Sequence, residues 1–480
     1  MPLTPSQLRD IAVDFAVLNG LVLATEKSAS LQRPISHAPF ALNPSNIPKN
    51  CFEAAVKLQP LFNTLVHKVS EDAGFLKEPR FVDYFTGRCY EIYTQTQKEG
   101  STQPIILGHH RSDYLLHKND SDSHVEIQQV ELNTMLRRLP VFRQRPLTCT
   151  GTSLSSPPYF QYMKILTLFG RFLRSRNGES TDQLPKNNSL TALVAGFAKA
   201  WELYGNKDAV IVMVTQPGER NSFDQRWIEN TLWQEYGISL IRKSLTELAD
   251  EGRLVGDKRK LVLNGNIEVA ITYYRAGYTP LDYPTEKEWQ ARLLVERSHA
   301  IKSPNVAYHL VGSKKVQQIL AQPNMLERFV SPANAVHLRT CFTGLFPLDQ
   351  SPAGISAYEE ALKNPSRYVV KPQREGGGNN IYTTDIPAFL SKLSATERNA
   401  YILMELIKPP PARNLLVRNG EILDAEVVSE LGIYGIWISG EGGVVYKNEV
   451  AGHLLRTKVA DSNEGGVAAG FAVLDSPLLV

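Results

Sequence analysis

The stretch VVKPQREGGGNN, residues 369–380, places a lysine and a carboxylate next to bare backbone. Successive glycine N–H groups can form an anion nest, a lysine adds positive charge, and a carboxylate can hold Mg²⁺ on phosphate oxygens. We therefore predict a phosphate site here; a flexible linker is the alternative, because glycine runs are common in linkers. The ordinary phosphate loop, GxxxxGK[ST], is absent from the sequence. The predicted site comprises Lys371, Glu375, Gly376, Gly377, Gly378, Asn379 and Asn380.

A second set of oxygen ligands lies in HVEIQQVELNT, residues 124–134. Its alternating residue types predict a strand, on which Glu131 and Asn133 project from the same face. A carboxylate and an amide oxygen are ligands that suit Mg²⁺. A solvated strand face is the alternative for this pair.

Three further stretches have the composition of ligand contacts. The hydrophobic strand YILMELI, residues 401–407, either offers backbone groups to an adenine edge or is an ordinary interior strand. ERNSFDQR, residues 219–226, follows a predicted strand, where open parallel sheets bind ligands. GHLLRTK and the later EGGVAAG combine Arg456 and Lys458 with small residues that can close around a carboxylate. A salt-bridged surface is the alternative for the two polar stretches.

Composition limits the class of protein. The chain has 480 residues, 42% of them hydrophobic, which is enough for a core spread over several lobes. Its net charge of +3, from 52 basic and 49 acidic residues, argues against a nucleic-acid partner. Asp14 and Asn19 interrupt the first apolar stretch, so neither a secretory signal nor a membrane span is expected. The four cysteines show no ligand spacing, which predicts a reducing, cytoplasmic location.

The hydrophobic patterns change along the chain. Helical spacing dominates the first hundred residues, and an irregular region, predicted as two loops around one short helix, covers residues 137–188. Residues 208–312 contain a βαβ unit and the hairpin signal LVLNGNIEV, which predict a separate domain with a parallel sheet. We predict three parts: residues 1–207, an N-terminal body with the Mg²⁺-binding strand; 208–312, a substrate domain; and 313–480, a nucleotide clamp with a lid around 345–412.

Taken together, the motifs resemble those of eukaryotic glutathione synthetases, ligases of the ATP-grasp superfamily. The resemblance rests on stretches that occur in the family's order over most of the chain: LGHHRSDY, VELNT, AKAWELYG, PGERNSFDQR, LVGSKKVQQ, VVKPQREGGGNNIY, YILMELI, SELGIYG, GHLLRTK and GGVAAGFAVLD. It implies a mixed α/β fold with α+β elements: an ATP-grasp fold with a parallel-sheet substrate domain, an antiparallel-sheet nucleotide clamp and a glycine-rich lid. It also implies a homodimer that joins γ-glutamylcysteine to glycine with ATP hydrolysis, through an acyl phosphate.

The resemblance assigns roles on the nucleotide side. Lys314 and Lys371 would hold phosphates, and Mg²⁺, with two ions expected per site, would be bound by Glu131, Asn133 and Glu375. Besides these residues and the glycine run, the nucleotide would be surrounded by Tyr382, Met404, Glu405, Leu406, Ile407, Glu430, Lys458 and Glu464. Glu464 stands where the family tends to have an aspartate.

It assigns roles on the acceptor side as well. The residues that correspond to γ-glutamylcysteine contacts are Arg111, Glu219, Arg220, Asn221, Gln225, Arg275 and Tyr278. The residues that correspond to the pocket for the glycine carboxylate are Arg456, Val467 and Ala468. The charged groups expected to act in catalysis, by neutralising developing charge, are Arg111, Lys314, Lys371 and Arg456.

The sequence departs from the family pattern on the acceptor side. After ELNT the family has a run of small residues, whereas this chain has Met135, Leu136, Arg137 and Arg138. Ala276 also stands where a family aspartate is common. Two alternatives to a glutathione synthetase therefore stay open: a diverged ligase with another acceptor, and a binding or effector protein that keeps the fold.

Overall fold

The computed structural model of the chain describes residues 3–24, 35–118, 124–135, 159–176, 179–216, 222–373, 379–460 and 472–480. Its α-helices are α1 (Pro5–Leu18), α2 (Lys49–Glu71), α3 (Ala73–Leu76), α4 (Tyr84–Glu99), α5 (Tyr159–Arg176), α6 (Ser189–Tyr204), α7 (Ser222–Tyr236), α8 (Leu245–Glu251), α9 (Glu286–Arg297), α10 (Val306–Val311), α11 (Lys314–Leu320), α12 (Pro332–Arg339), α13 (Pro352–Lys363) and α14 (Asp385–Leu390). Among the described residues, no helix combines the length and the apolar character needed to cross a membrane.

The strands belong to several sheets. In chain order they are β1 (Val22–Ala24), β2 (Ile35–His37), β3 (Phe40–Ala41), β4 (Ser45–Ile47), β5 (Ile106–Lys118), β6 (Val125–Asn133), β7 (Val210–Val214), β8 (Leu240–Lys243), β9 (Gly252–Val255), β10 (Lys260–Leu263), β11 (Ile267–Tyr274), β12 (Ile301–Ser303), β13 (Leu345–Pro347), β14 (Tyr368–Pro372), β15 (Ile381–Tyr382), β16 (Tyr401–Glu405), β17 (Ala412–Arg418), β18 (Glu421–Ser439), β19 (Val445–Val459), β20 (Ala472–Asp475) and β21 (Pro477–Leu479).

A mainly antiparallel sheet forms the centre, in the order β17-β3-β20-β19-β18-β5-β6. Helices cover both of its faces. Ile433 and Trp437 of β18 share one core with α2, whereas Tyr434 and Ile436 share a second core with α6. Side chains of β18 that point to opposite faces of the sheet thus pack into two different cores, as the two-residue period of a strand requires. Because this sheet is packed on both faces, it gives β5 and β6 a firm support.

A second sheet contains the predicted βαβ unit. Strands β8, β7, β11 and β12 are parallel, with α7 between β7 and β8, and β10 and β9 continue the sheet in antiparallel fashion. Asn264 and Gly265 both have positive φ, of 47° and 87°, as a tight primed turn between β10 and β11 requires. The predictions of the βαβ unit and of the hairpin are confirmed.

A third, four-stranded sheet has the order β13-β16-β14-β15 and is antiparallel throughout. Helices α13 and α14 pack on it through a small core of their own. The predicted mixed α/β architecture, with a parallel sheet and an antiparallel clamp, is therefore confirmed. One detail of the prediction is wrong: the helix in the irregular region, α5, has 18 residues and is not short.

Candidate functional site

Neighbouring strands bring the first site residues together. In the register of β5 and β6, Arg111 lies opposite Asn133, and Asp113 lies opposite Glu131. The amide of Asn133 donates to Glu131 Oε1 at 3.0 Å. Glu131 and Asn133 thus share a strand face, as the alternation in the sequence predicts, and their partners on β5 add charge to the same face.

Asp113 lies at the centre of this polar network. Arg111 donates to both carboxylate oxygens of Asp113, with distances of 2.6 Å and 2.7 Å. Asp113 Oδ2 also accepts from Asn133 at 3.1 Å and from Arg456 at 3.2 Å. Although burial opposes the charged form of Arg111, Asp113 keeps the pKa of that guanidinium above its ordinary value. One fully buried carboxylate therefore orients three of the predicted site residues.

Sequence reasoning missed Asp113, although it lies within the quoted motif LGHHRSDY. The available signal was its position two residues after Arg111, which places both side chains on one strand face. A second missed residue is Gly432 on β18, which lies opposite Asp113. A Cβ atom at Gly432 would come within 2.7 Å of Asp113 Oδ1, so the arginine–aspartate pair requires a glycine there.

Arg456 connects the network to the neighbouring strands. It lies opposite Glu430 in the register of β18 and β19, and its guanidinium donates to Glu430 Oε1 as well as to Asp113. Lys458, two residues further along β19, is half-buried. The structure thus places Glu430, predicted at the nucleotide, in contact with Arg456, predicted at the glycine carboxylate.

Two lysines lie on the other side of Glu131. Lys314, the first residue of α11, donates to Glu131 Oε2 at 2.8 Å, and Lys371 on β14 donates to the carbonyl of Val130 at 3.0 Å. Both lysines are buried. Burial, together with the charge of Lys314, lowers the pKa of Lys371 to about 7. A polyanion such as a triphosphate would favour the charged form of the Lys371 ammonium group.

Gln373 fixes the relative position of the two lysine-bearing elements, and sequence reasoning also missed it. Its side-chain carbonyl accepts from the backbone N–H of Lys315 at 2.7 Å. Since Gln373 follows β14 directly and Lys315 follows Lys314, this bond joins the end of the strand to the first turn of the helix. It keeps the two ammonium groups on the same side of the site.

The residues predicted around the adenine form an apolar pocket wall. Met404 and Ile407 are buried with Val369 in one small cluster, against which Tyr382, Leu406 and Val130 pack. The N–H groups of Glu405 and Leu406 donate to the carbonyls of Gly344 and Arg367 at 2.9 Å and 2.8 Å. Strand β16 is thus an interior strand, and Lys371 lies opposite Ile402 near its start. Asn380 donates to the Tyr382 hydroxyl at 3.0 Å.

The acceptor-side residues lie after strands β7 and β11 of the parallel sheet. Arg275, Tyr278 and Gln225 are all buried. Arg242 donates to Gln225 Oε1 at 3.0 Å, while Gln225 Nε2 has no hydrogen-bond partner among the described residues. Tyr278 lines a small pocket with Gln373, which places this loop next to the lysine-bearing elements.

The loop that carries Tyr278 is held by Asp282, a residue that sequence reasoning did not select. Asp282 Oδ2 accepts from the backbone N–H groups of Gly277, Tyr278 and Thr279 at 2.9, 3.0 and 3.2 Å. Its other oxygen accepts from Gln216 at 2.5 Å. Ala276, the departure noted in the sequence, is buried beside this loop, and the carboxylate that binds the loop comes from Asp282.

Several predicted site residues lie outside the described part of the chain. Most of the changed run after ELNT, which comprises Leu136, Arg137 and Arg138, lies outside it as well. Met135, its first residue, is described and fully buried in the core that contains α2. The predicted site residues outside the described part are Glu219, Arg220, Asn221, Glu375, Gly376, Gly377, Gly378, Glu464, Val467 and Ala468.

Comparison with known proteins identifies the family. Residues 4–479 match the family described as eukaryotic glutathione synthase, ATP binding domain. The chain is 40% identical over 482 residues to the glutathione synthetase of Xenopus laevis, which covers 99% of this chain and 97% of the relative. It is 40% identical over 486 residues to the chloroplastic glutathione synthetase of Solanum lycopersicum, with 99% and 84% coverage. The chain belongs to the eukaryotic glutathione synthetase family.

A solved structure supports the fold of this glutathione synthetase family member independently. The apo form of a glutathione synthetase-like effector, GSS30 from Globodera pallida, aligns with a TM-score of 0.77 over 100% of this chain and 98% of that one. At 23% identity this likeness bears on the fold alone. The comparisons confirm the resemblance, the ATP-grasp-like fold and the predicted reaction class, ATP-dependent ligation that forms a peptide bond. The comparisons do not favour the two alternatives, a diverged ligase with another acceptor and a binding or effector protein.

Proposed function

We propose that this chain joins γ-glutamylcysteine to glycine with ATP hydrolysis, releasing ADP and phosphate through an acyl phosphate. Family membership sets the class of reaction. The observation that carries the proposal is the continuous network from Lys314 through Glu131 and Asp113 to Arg456. This network joins the elements assigned to phosphate binding to those assigned to the two acceptor carboxylates.

The side chains act by alignment and charge. The dipeptide carboxylate attacks the γ-phosphate, and the glycine amine then displaces phosphate from the acyl phosphate. Lys314 and Lys371 neutralise charge on the phosphates, while Arg111 and Arg456, both held by Asp113, receive substrate carboxylates. Effects of this kind supply most of the catalysis in phosphoryl transfer, so no covalent protein nucleophile is needed.

Mg²⁺ is the proposed cofactor. Glu131 and Asn133 offer a carboxylate and an amide oxygen on one strand face, a donor set that fits this ion. Among the described residues, no group of three or more His, Cys, Asp or Glu side chains is placed to hold a metal, so a further ligand is proposed from Glu375. The ion neutralises charge on phosphate oxygens when bound. The Glu375→Ala variant should show a kcat/KM for Mg²⁺-ATP at least tenfold lower than wild type, a loss of about 1.4 kcal/mol or more of transition-state stabilisation.

The acceptor side is proposed to bind γ-glutamylcysteine through Arg111, Arg275, Tyr278 and Gln225. The buried Nε2 of Gln225 has no hydrogen-bond partner among the described residues, which supports a donor role toward a ligand. Five further contacts are proposed from the sequence: Glu219, Arg220 and Asn221 with the dipeptide, and Val467 and Ala468 with the glycine carboxylate.

The decisive experiment measures ATP-dependent phosphate release with γ-glutamylcysteine, with glycine and other amino acids as acceptors. We expect turnover that depends on glycine. Turnover with another acceptor would replace this proposal by the altered-acceptor alternative, and nucleotide binding without turnover would favour a binding or effector role. Lys371→Met should abolish turnover, whereas Lys363→Met, at an exposed lysine ending α13, should leave it unchanged.

We also propose that the protein is a homodimer, formed through the exposed apolar residues near the end of α1 and on α7. This α1/α7 face consists of Val17, Leu18, Ile35, Trp233 and Tyr236, of which Leu18 is 84% and Trp233 is 62% exposed. Gly20, just after α1, lies against the ring of Trp227 on α7, so the two elements are in contact. Exposed apolar side chains of this kind mark association surfaces, and a two-fold dimer uses one surface twice.

Sedimentation velocity tests the dimer. We expect the wild-type chain to sediment as a dimer and Leu18→Glu/Trp233→Glu to sediment as a monomer. Leu281→Glu is the control, because Leu281 is 83% exposed but lies outside the α1/α7 face. A monomeric wild type, or a dimeric double variant, would contradict the proposed surface.

The proposed compartment is the cytoplasm. Cys51, Cys89 and Cys341 are buried free thiols in the structure, in keeping with a reducing environment. Since a relative from Solanum lycopersicum is named as chloroplastic, the location of this chain is best tested directly, by fractionation of its source cells with an antibody to the chain. We expect the protein in the cytosolic fraction.

A further inference from the structure

A second cleft, of about 430 Å³, lies apart from the network described above. It is bounded by the C-terminal end of α2, the C-terminal half of α4, the end of α9 and β12. Ile106, at the start of β5, lines it, whereas Arg111 lies five residues further along the same strand. At about 3.3 Å per residue, the two sites are separated by about 16 Å along the strand.

The inner wall of the cleft has one buried cation, Lys302, and one carboxylate, Glu296, which is paired with a buried arginine outside the lining, Arg292. Lys302 is 7% exposed and Arg292 is 1% exposed. Glu296 pairs with Arg292 at 2.9 Å, and Arg292 also stacks on the ring of Tyr274. The ammonium group of Lys302 donates to the backbone carbonyl of Ser298 at 2.5 Å. Lys302 therefore lines the cleft with a neutral acceptor as its hydrogen-bond partner.

The rim of the cleft has two further cations, Arg259 and Arg297. Arg259 and Arg297 both pair with Glu99, with shortest distances of 3.7 Å and 2.5 Å. The carboxylate of Glu71, which also lines the cleft, is paired with Lys68 at 2.9 Å. Of the three cations that line the cleft, Arg259 and Arg297 share Glu99, whereas Lys302 has no carboxylate partner among the described residues.

Such an arrangement is costly unless a further negative charge is present. A buried charge is destabilising when it lacks an ionic partner, because it loses hydration without compensation. Burial, reinforced by Arg259 and Arg292 and opposed by Glu296, lowers the pKa of Lys302 to about 8. The cleft has the volume typical of small-molecule sites, and the side chains of Gln97 and Asn305 add neutral polar groups to its lining.

We propose that this cleft binds a small anion with a carboxylate or phosphate group, held by Lys302 on the inner wall and by Arg259 at the rim. An anion there supplies the ionic partner that Lys302 lacks. It also accepts hydrogen bonds from the ammonium group of Lys302, which has donors beyond the one given to Ser298. The site is independent of the proposed ligase reaction, since none of the residues assigned to that reaction lines it.

Isothermal titration calorimetry tests the site with two probes, inorganic phosphate and succinate, at pH 7.5 and constant ionic strength. The protein is first saturated with Mg²⁺ and a non-hydrolysable ATP analogue, so that phosphate cannot bind among the nucleotide-site lysines. We expect at least one probe to bind saturably with one site per chain, and which of them binds identifies the preferred chemistry. Absence of saturable binding by both probes would overturn the proposal.

Variants connect the binding to the cleft. Lys302→Met should weaken binding at least tenfold, whereas Lys258→Met, at an exposed lysine next to Arg259, should bind like the wild type. Wild-type affinity in Lys302→Met would overturn the proposal. If circular dichroism shows that Lys302→Met does not fold, Arg259→Gln takes its place; it should bind several-fold more weakly, and unchanged affinity in that variant would likewise refute the site.

Discussion

At the scale of single residues, one carboxylate has the largest expected effect. Asp113 contacts Arg111, Arg456 and Asn133, so it sets the position of groups assigned to both acceptor carboxylates. Its own carboxylate is fully buried, and both of its oxygens accept from these side chains, so we assign it a positioning role. Removing its charge leaves two buried guanidinium groups without their shared partner, which is costly in a low-dielectric interior.

We predict that Asp113→Asn lowers kcat/KM for glycine and for γ-glutamylcysteine at least tenfold, about 1.4 kcal/mol or more. The KM for ATP should change much less, because the lysines are held by Glu131 and Val130. Steady-state kinetics with each substrate varied in turn measures this split. Asp424→Asn, which breaks an exposed pair with Arg413, is the control and should behave as wild type. An equal loss for all three substrates would indicate general damage to the site.

Lys371 gives a second prediction at this scale, concerning protons. Its pKa of about 7, set by burial and by Lys314, means that the amine is largely neutral at pH 8 in the free protein. A bound triphosphate favours the ammonium form, so nucleotide binding at pH 8 should take up close to one proton. Calorimetry in buffers of different ionisation enthalpy measures this uptake. In Lys371→Met the uptake should fall close to zero; wild-type uptake in that variant would assign the proton to another group.

At the scale of elements, the loop after β11 depends on a single side chain. Asp282 binds three consecutive backbone N–H groups of residues 277–279 and reaches Gln216 after β7. This carboxylate holds Tyr278 at the edge of the parallel sheet, where it adjoins Gln373 and the lysines. Charge-assisted bonds to several amides are strong, and an asparagine in this place loses the negative charge and keeps only one acceptor oxygen.

We predict that Asp282→Asn raises the KM for γ-glutamylcysteine about tenfold, about 1.4 kcal/mol, and leaves the KM for ATP within about twofold of wild type. Asp257→Asn, in the exposed turn between β9 and β10, provides the matched control. Kinetics at saturating glycine separate the two constants. If the dipeptide KM does not change, the loop is held by its other contacts and Asp282 has no role in substrate binding.

How far the sequence predicts these elements depends on the range of the interactions. The hairpin at Asn264-Gly265 follows from local backbone requirements and is found where predicted. The network around Asp113 depends instead on the register of β5 with β6 and with β18, and β18 lies far from both in the chain. The sequence of a single strand does not show which residues of another strand lie opposite it. The alternation within β6 therefore indicated Glu131 and Asn133, whereas Asp113, Gly432 and Gln373, whose roles depend on contacts between elements, were missed.

At the scale of the whole molecule, buried titratable groups set the dependence of stability on pH. Burial lowers the pKa of His109, His110 and His453 to about 3. In the unfolded chain these imidazoles have a pKa near 6.5, so only the unfolded state takes up their protons as pH falls below that value. Stability should therefore decrease from about pH 6.5 downward. Asp475, whose pKa is raised to about 6 by burial, opposes this in part, because the folded state takes up its proton first.

His110 allows this to be tested without removing a contact. Both of its ring nitrogens are buried and have no hydrogen-bond partner among the described residues, and its ring lies 5.3 Å from that of Tyr308. His110→Phe keeps an aromatic ring there, so we predict a free energy of unfolding within about 1.5 kcal/mol of wild type at pH 7. Between pH 6 and pH 5 the variant should lose about 1.4 kcal/mol less than the wild type, the contribution of one histidine. Urea unfolding at fixed protein concentration measures both values.

His337→Gln, at an exposed histidine, is the control, and its free energy of unfolding should depend on pH as that of the wild type does. If the free energy of unfolding of His110→Phe falls with pH in parallel with the wild type, His110 does not titrate with unfolding.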